Sequence, residues 1–148
     1  MKAITIHQPW ATLIAIGAKR FETRGWPARY RGTIAIHAAK RIDREACECE
    51  PIKSALAEHG YTADNLPTGA VVATANLHDC KSEVERAGNR ARLAGAHGDV
   101  WIDTNSNEYY FGWFGIGRYA WELTNVQQLL EPIPAKGQQG LWNWEVVL

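Results

Sequence analysis

A strand pattern, a helix pattern and a second strand pattern follow one another at the start of the chain. The three segments are residues 3–7, 8–16 and 19–25. In the middle segment, residues recur at the spacing of one helix face: Trp10, Leu13, Ile14 and Gly17. Pro9 suits the first helical turn, where its missing N–H would be unpaired anyway. Gly17 can adopt the left-handed conformation that ends a helix, so we expect the chain to turn there into the next strand.

The remaining pattern predicts a mixed fold with at least six strands. Further strands are expected at residues 33–38, 70–77, 109–115, 119–123, 126–130 and 141–147. Short helices are expected within residues 41–59, interrupted at Pro51, and at residues 82–94, where Ser82 and Glu85 resemble a capping box. Residues 88–108 are expected to be partly mobile. The fold class is therefore α+β, a closed or nearly closed barrel of about six strands with short helices packed outside.

Composition favours one globular domain covering residues 1–148. Hydrophobic residues make up 46% of the 148 residues, which is normal for a globular protein. No apolar run approaches the ~18 residues of a membrane span, and the first residues lack an export signal, so we expect a cytoplasmic protein that does not enter a membrane. We also expect a monomer. Three cysteines cannot all pair within the chain and are expected to be free thiols, with no metal or other cofactor.

Charge is unevenly distributed along a chain that is neutral as a whole. Between Lys19 and Arg44 there are eight basic residues and two acidic ones, so this segment carries 8 − 2 = +6 while the whole chain carries +0. Overall neutrality argues against a protein that coats nucleic acid nonspecifically. A local basic face suits a site-focused contact with phosphates. The alternative is that these charges point in different directions.

Lys19, Glu22 and Arg24 form the most distinctive polar group in the chain. In a regular strand Glu22 and Arg24 share one face and Lys19 points to the other. Lys19 can join Glu22 only if it lies in the bend between helix and strand. The competing interpretation is a surface strand with solvated charges, since exposed ion pairs are common and contribute little.

The segment Gly17-x-Lys19-x-x-Glu22-x-Arg24 resembles the GxKxxExR signature of ASCH domains. Other stretches that look like that family are His7 to Trp10, Gly25-Trp26, Tyr30 to Gly32, Ile36 to Ala38, Leu66 to Val71 and Lys136 to Trp142. ASCH domains are small PUA-like β-barrels. The resemblance implies a PUA-like fold and recognition of nucleic acid or nucleosides.

Our leading hypothesis is a module that binds RNA or single-stranded DNA in a cleft at this motif. Lys19, Arg24 and Arg31 would contact phosphates, Glu22 would order the cluster, and Trp26 would stack on a base. Additional candidate contacts are Gln8, Trp10, Arg29, Lys136 and Gln139. Lys136 and Gln139 belong to a glycine-punctuated loop whose backbone N–H groups can approach an anion.

Two alternatives stay open. Some small ASCH proteins are amidohydrolases that remove an acyl group from N4-modified cytidine, and others cleave RNA, so Lys19 and Glu22 are candidate catalytic residues. In those amidohydrolases the motif lysine works with a threonine three residues on, which here is Glu22, and with a downstream glutamate. That glutamate has three candidates, namely Glu108, Glu122 and Glu145. The other alternative is a protein-interaction module that uses the aromatic residues 109–121.

Overall fold

A computed structural model describes residues 1–145. Its eight strands are β1 (Lys2–Gln8), β2 (Phe21–Arg24), β3 (Gly32–Ile42), β4 (Ala70–Ala87), β5 (Arg90–Gly95), β6 (Gly98–Asp103), β7 (Tyr119–Pro134) and β8 (Leu141–Asn143). Its four helices are α1 (Trp10–Ala15), α2 (Arg44–Cys47), α3 (Ile52–Ala57) and α4 (Asn107–Phe111). The chain divides into two compact units. The first unit comprises Met1–Ala18, Thr33–Ala75 and the chain from Asn125 on, and the second unit comprises Lys19–Gly32 and Asn76–Thr124.

In the first unit, β1 is paired on both sides. It runs parallel to β3, with Lys2 opposite Ile34 and Ile6 opposite Ala38, and antiparallel to β8. Small and aromatic residues from several strands form a core at Ala3, Ala35, Val71, Trp142 and Trp144. The predicted first strand is therefore confirmed, and its apolar residues Ala3, Ile4 and Ile6 are buried.

The helical segments of the first unit follow the punctuation in the sequence. Helix α1 begins after Pro9, buries all residues from Ala11 to Ala15 and is followed by Gly17 at φ +82°. The predicted helix and its glycine stop are confirmed. Asp43 caps α2 by accepting the N–H of Ala46, and Pro51 separates α2 from α3 as expected.

In the second unit, β2 pairs with the first residues of β7, and the end of β4 pairs with β5, which pairs with β6. Its core consists of Phe21, Leu93, Ile102, Phe114 and Ala120. Ser106 caps α4 by accepting the N–H of Tyr109 at 3.2 Å. The strand predicted at 19–25 is confirmed within two residues, and Lys19 lies outside it.

Two expectations about the second half of the chain are wrong. The helix predicted at 82–94 is the end of β4, a turn at Gly88 and the start of β5. The segment 88–108, expected to be partly mobile, contains β5, β6 and the start of α4. The strand predicted at 109–115 is instead the end of α4 and a loop. The reason for the first error is that Lys81 and Glu83 are buried, so polar residues alternate inward where the pattern treats them as solvent-facing.

The strands predicted at 119–123 and 126–130 belong to one sixteen-residue strand, β7. Asn125 has φ +49°, so the expected turn is a local irregularity within the strand. The last strand, expected at 141–147, is found as Leu141–Asn143, and Val146 and Val147 lie outside the described residues.

Eight strands are found where at least six were predicted, and closure of the sheet is not confirmed. The strands follow the order β2-β7-β4-β3-β1-β8, with β5 and β6 extending from β4. Within residues 1–145 no pairing joins the two ends of this order. The fold is a mixed α+β fold with an open eight-stranded sheet, which is consistent with a PUA-like architecture.

Candidate nucleic-acid interface

The motif lysine is buried in the second unit. Lys19 is 1% exposed, and its ammonium group donates a hydrogen bond to the carbonyl of Phe21. Burial lowers the pKa of Lys19, while the carboxylates of Glu22 and Glu108 act in the opposite direction and Arg24 adds to the lowering. The lysine thus shares its surroundings with the two motif side chains, as the bend geometry predicted. In this arrangement its ammonium group is not at the surface.

Glu108 is the downstream candidate whose carboxylate contacts the backbone of the motif segment. Its carboxylate accepts the N–H of Arg20 at 2.7 Å and of Phe21 at 3.3 Å, and the Arg20 side chain approaches to 3.4 Å. Glu108 belongs to the first turn of α4, which the Ser106 cap fixes in place. Of the other two candidates, Glu122 lies 3.6 Å from Lys81. Sequence spacing could not choose among the three candidates, because the contact between Arg20 and Glu108 spans 88 residues.

The other predicted contacts of the second unit lie on β2 and the loop after it. Arg24 pairs with Glu22 at 2.8 Å. Trp26 is 39% exposed and packs edge-on against Trp121, with ring centroids 4.8 Å apart. Arg31 donates to the carbonyls of its own loop, and Arg29 is exposed. The guanidinium groups are therefore positioned at or near the surface, as a phosphate contact requires.

An exposed tryptophan and an arginine form a pair that the sequence reasoning did not single out. The guanidinium carbon of Arg118 lies 4.0 Å from the ring centroid of Trp113, which is 72% exposed. The backbone of Trp113 is held on both sides: its N–H donates to Thr23 Oγ1 at 2.8 Å and its carbonyl accepts from Arg118 Nε at 2.6 Å. The aromatic and glycine-rich composition of residues 109–115 was the available signal, but it was interpreted as a strand.

A buried charge network also escaped the sequence reasoning. Asp79 and Lys81 form an ion pair of 2.9 Å with side chains 0% and 3% exposed. Arg31 lies 4.0 Å from Asp79, so the network reaches the loop that carries a predicted phosphate contact. A charged side chain in an alternating strand gives no signal of burial by itself.

In the first unit, two predicted contacts lie on or beside α1. Gln8 is fully buried, with its amide donating to Thr12 Oγ1 and the Pro67 carbonyl, both at 2.7 Å, and accepting the Thr12 N–H at 2.9 Å. Its amide thus fixes the start of α1 and makes no outward contact. Trp10 is half-buried.

Lys136 and Gln139 line an open cleft of about 960 Å³ in the first unit. The remaining lining residues are Thr5, His37, Ala39, Lys40, Gly69, Pro134, Ala135, Gly137 and Gln138. Among these described residues there are two lysines and no acidic side chain. The sequence reasoning assigned His37 no function, and the structure places its ring in the cleft wall.

No helix within residues 1–145 is long and apolar enough to cross a membrane. Cys47, Cys49 and Cys80 are free thiols, as expected. Groups of three or more histidine, cysteine or acidic residues that would suit a metal ion are not found in the described part of the chain.

The family model for the ASCH domain matches residues 4–145, and the chain belongs to that family. Two curated relatives are activating signal cointegrator 1 of Homo sapiens, 34% identical over 83 residues, and of Mus musculus, 24% identical over 142 residues. These matches cover 54% and 94% of this chain but only 14% and 21% of the relatives, so the chain spans about a fifth or less of their length.

Proposed function

We propose that this ASCH domain binds single-stranded nucleic acid, RNA or DNA, through the exposed aromatic and arginine side chains of the second unit. The observation that carries the proposal is the pair of Trp113 and Arg118. A flat ring that is 72% exposed offers a stacking surface to any base, and a guanidinium group beside it suits the phosphate backbone. Membership of the ASCH family and the similarity to activating signal cointegrator 1 support the same function.

The surroundings of Trp113 favour binding because they hold the ring in place before a ligand arrives. Both backbone hydrogen bonds of this residue are made within the second unit, to Thr23 and Arg118. The preceding Gly112 lies so close to Phe114 that an added Cβ would be 2.7 Å from its ring. A pre-ordered loop loses little conformational entropy on binding, so more of the stacking energy appears as affinity.

The motif residues take different roles in this proposal. Lys19, Glu22 and Glu108 position β2 and α4, since Glu108 accepts two backbone N–H groups next to Lys19 and the loop that follows α4 carries Trp113. Arg24, Arg29 and Arg31 contact phosphates, and Trp26 adds a second stacking surface, as the sequence suggested. Three further proposed contacts lie in the first unit, namely Trp10, Lys136 and Gln139. Gln8 contacts no ligand and instead holds the start of α1 in place.

The decisive experiment replaces Trp113 with alanine and measures binding of labelled single-stranded RNA and DNA by fluorescence anisotropy. Loss of one stacked base costs ~1–3 kcal/mol, which is roughly a 5- to 140-fold increase in Kd. Trp101→Ala is the matched control, because Trp101 also pairs with an arginine, Arg90 at 5.1 Å, but lies on β6, outside the loop of Trp113 and the segment of Trp26. Equal affinity of both variants and the unmodified protein would eliminate the proposed stacking surface.

A hydrolase acting on N4-acylated cytidine or on RNA is the second candidate. The observation in its favour is the lowered pKa of Lys19, caused by burial, together with the carboxylates of Glu22 and Glu108. A lysine that loses its proton more easily can act as a base or nucleophile. Chromatography of reactions with N4-acetylcytidine and with RNA tests this. Turnover that disappears in Lys19→Ala but persists in Lys53→Ala would establish the enzyme, and no turnover of either substrate would exclude these two reactions.

A further inference from the structure

We propose that the cleft of the first unit is a nucleotide-binding site in which His37 accepts a hydrogen bond from the base and Lys40 and Lys136 hold the phosphate. The cleft volume of about 960 Å³ lies at the upper end of the range for small-molecule sites. This inference rests on the proposed function and extends it, because it gives the first unit of the chain a ligand of the same class.

The ring of His37 has one satisfied and one unsatisfied nitrogen. Its Nε2 lies 2.7 Å from the carbonyl of Ala135, and since a carbonyl only accepts, Nε2 carries the proton. In the neutral ring Nδ1 is then an acceptor. This atom is buried and has no hydrogen-bond partner among the described residues. The residue as a whole is 2% exposed. A buried polar atom without a partner is costly, so a ligand that donates to it gains affinity.

The walls around His37 fix the ring, and Gly137 of the loop above covers its Nδ1. Trp142 packs edge-on against the ring at a centroid distance of 5.6 Å and donates its indole N–H to Thr5 at 3.0 Å. A Cβ added to Gly137 would be 3.0 Å from Nδ1 and 2.8 Å from Thr5 Oγ1, so this glycine packs directly on the imidazole. Because Nδ1 is buried beneath it, a ligand that donates to Nδ1 has to displace this part of the loop.

The charges of the cleft define the other half of the ligand. Lys40 and Lys136 line the cleft and are exposed, and no acidic residue lines it among the described residues. The stem of Lys40 crosses Gly69, whose added Cβ would lie 3.5 Å from the lysine Cγ, so the side chain is directed along the cleft. Two cations without a countercharge favour a phosphate.

A ligand that combines a hydrogen-bond donor with an anion suits both parts of the cleft. A nucleotide has both: ring or exocyclic N–H groups on the base and a phosphate on the sugar. Hydroxyl groups of a sugar phosphate also donate, so a comparison with and without the base decides which group reaches Nδ1. The same chemistry is presented by a free mononucleotide and by one nucleotide of a strand.

The test compares nucleoside monophosphates with ribose 5-phosphate, which lacks the base, by calorimetry and by the ¹⁵N chemical shift of His37 Nδ1. We expect nucleotides to bind more tightly than ribose 5-phosphate and to shift the Nδ1 resonance. In His37→Phe the aromatic ring is retained but the Nδ1 acceptor is lost, and the preference for the base should fall by roughly two- to tenfold. Lys40→Ala and Lys136→Ala should each weaken both ligands by a similar factor, whereas Lys53→Ala, an exposed lysine of α3, should not.

Two arms separate the sources of the ligand. Displacement of a bound monophosphate by a single-stranded oligonucleotide assigns the cleft to a strand, and binding of the monophosphate without such displacement assigns it to a free nucleotide. An unmoved Nδ1 resonance, or no binding of any monophosphate, overturns the inference. That result would not affect the proposed stacking on Trp113, because the stacking test uses single-stranded oligonucleotides and variants of the second unit.

Discussion

The buried ion pair of Asp79 and Lys81 allows the largest predicted effect on stability. The two side chains are 0% and 3% exposed and their charged atoms are 2.9 Å apart. The Asp79 carboxylate also accepts the N–H of Cys80 at 2.9 Å and of His97 at 3.0 Å, and Lys81 donates to the carbonyl of Gly98 at 2.6 Å. The pair thus anchors the turn between β5 and β6 to the middle of β4.

Replacing Lys81 with methionine removes the ammonium group while keeping a side chain of similar length. Asp79 is then a buried carboxylate that has lost its closest countercharge, a change that costs ~3–5 kcal/mol. For a chain of this size each kcal/mol lowers Tm by ~2–4 °C, so the expected decrease is roughly 6–20 °C. Arg31, 4.0 Å from Asp79, can partly replace the lost charge, and we expect the lower half of that range.

The assay is urea and thermal unfolding followed by circular dichroism. The control is Asp64→Asn, which breaks the exposed pair of Arg44 and Asp64, with side chains 61% and 81% exposed, and should change stability by less than about 1 kcal/mol. The double variant Asp79→Asn/Lys81→Met removes both charges and should be more stable than Lys81→Met alone. If Lys81→Met unfolds no more easily than the control, the reasoning about buried charge is refuted.

The same pair has a defined pH dependence. Burial by itself raises the pKa of Asp79, but the hydrogen bonds from Lys81, His97 and Cys80 outweigh it, so its pKa lies below 3.8. A carboxyl group with a lowered folded-state pKa stabilises the fold fully above its unfolded-state pKa. This contribution is lost as the pH falls through the folded-state pKa. Lys81→Met should therefore lose less stability than the unmodified protein over the same acidic interval.

Three further predictions concern other parts of the second unit. Gly95→Ala should destabilise the protein by more than about 1 kcal/mol in urea unfolding, because its Cβ would lie 2.3 Å from the buried carboxylate of Asp79; Gly88→Ala, with φ +60° but no atom within 4 Å of its Cβ, gives for comparison the cost of a left-handed backbone without a clash. Since the pKa of Lys19 is lowered from 10.5, the unfolded chain binds more protons between the two values and stability should rise with pH there; Lys19→Met should flatten this rise, and identical slopes would contradict the burial of a charged lysine. Arg29→Ala should weaken single-strand binding at low salt and reduce the slope of log K against log salt by about 0.7, and an unchanged slope would remove Arg29 from the interface.

Local signals in the sequence identified several elements correctly. Helix α1 begins after Pro9 and ends before Gly17, and Pro51 separates two helices. The apolar segment 70–77 lies within β4. These features depend on backbone geometry and on apolar periodicity over a few residues. Both are properties of the local chain, so no knowledge of distant neighbours is needed.

The errors occurred where charged residues are buried. Glu83 is buried in β4, within the segment 82–94 that Ser82 and Glu85 had indicated as a helix, and Lys81 just before it is buried too. Glu83 is compatible with burial because Arg86 approaches it at 3.1 Å and Tyr109 donates to it at 3.2 Å. The tyrosine is 26 residues away, so its contact cannot be read from the local pattern.

By itself, the sequence determined the family, the motif and most of the first half of the fold, since these follow from residue identity and short-range spacing. Only the tertiary structure decided that Lys19 is buried, that Glu108 is the downstream candidate beside it, and that His37, in the wall of a cleft, has a buried nitrogen without a hydrogen-bond partner among the described residues. Whether a polar side chain is solvated, paired or buried without a hydrogen-bond partner depends on residues far away in the chain. Folding brings those residues into contact, and no local pattern records them.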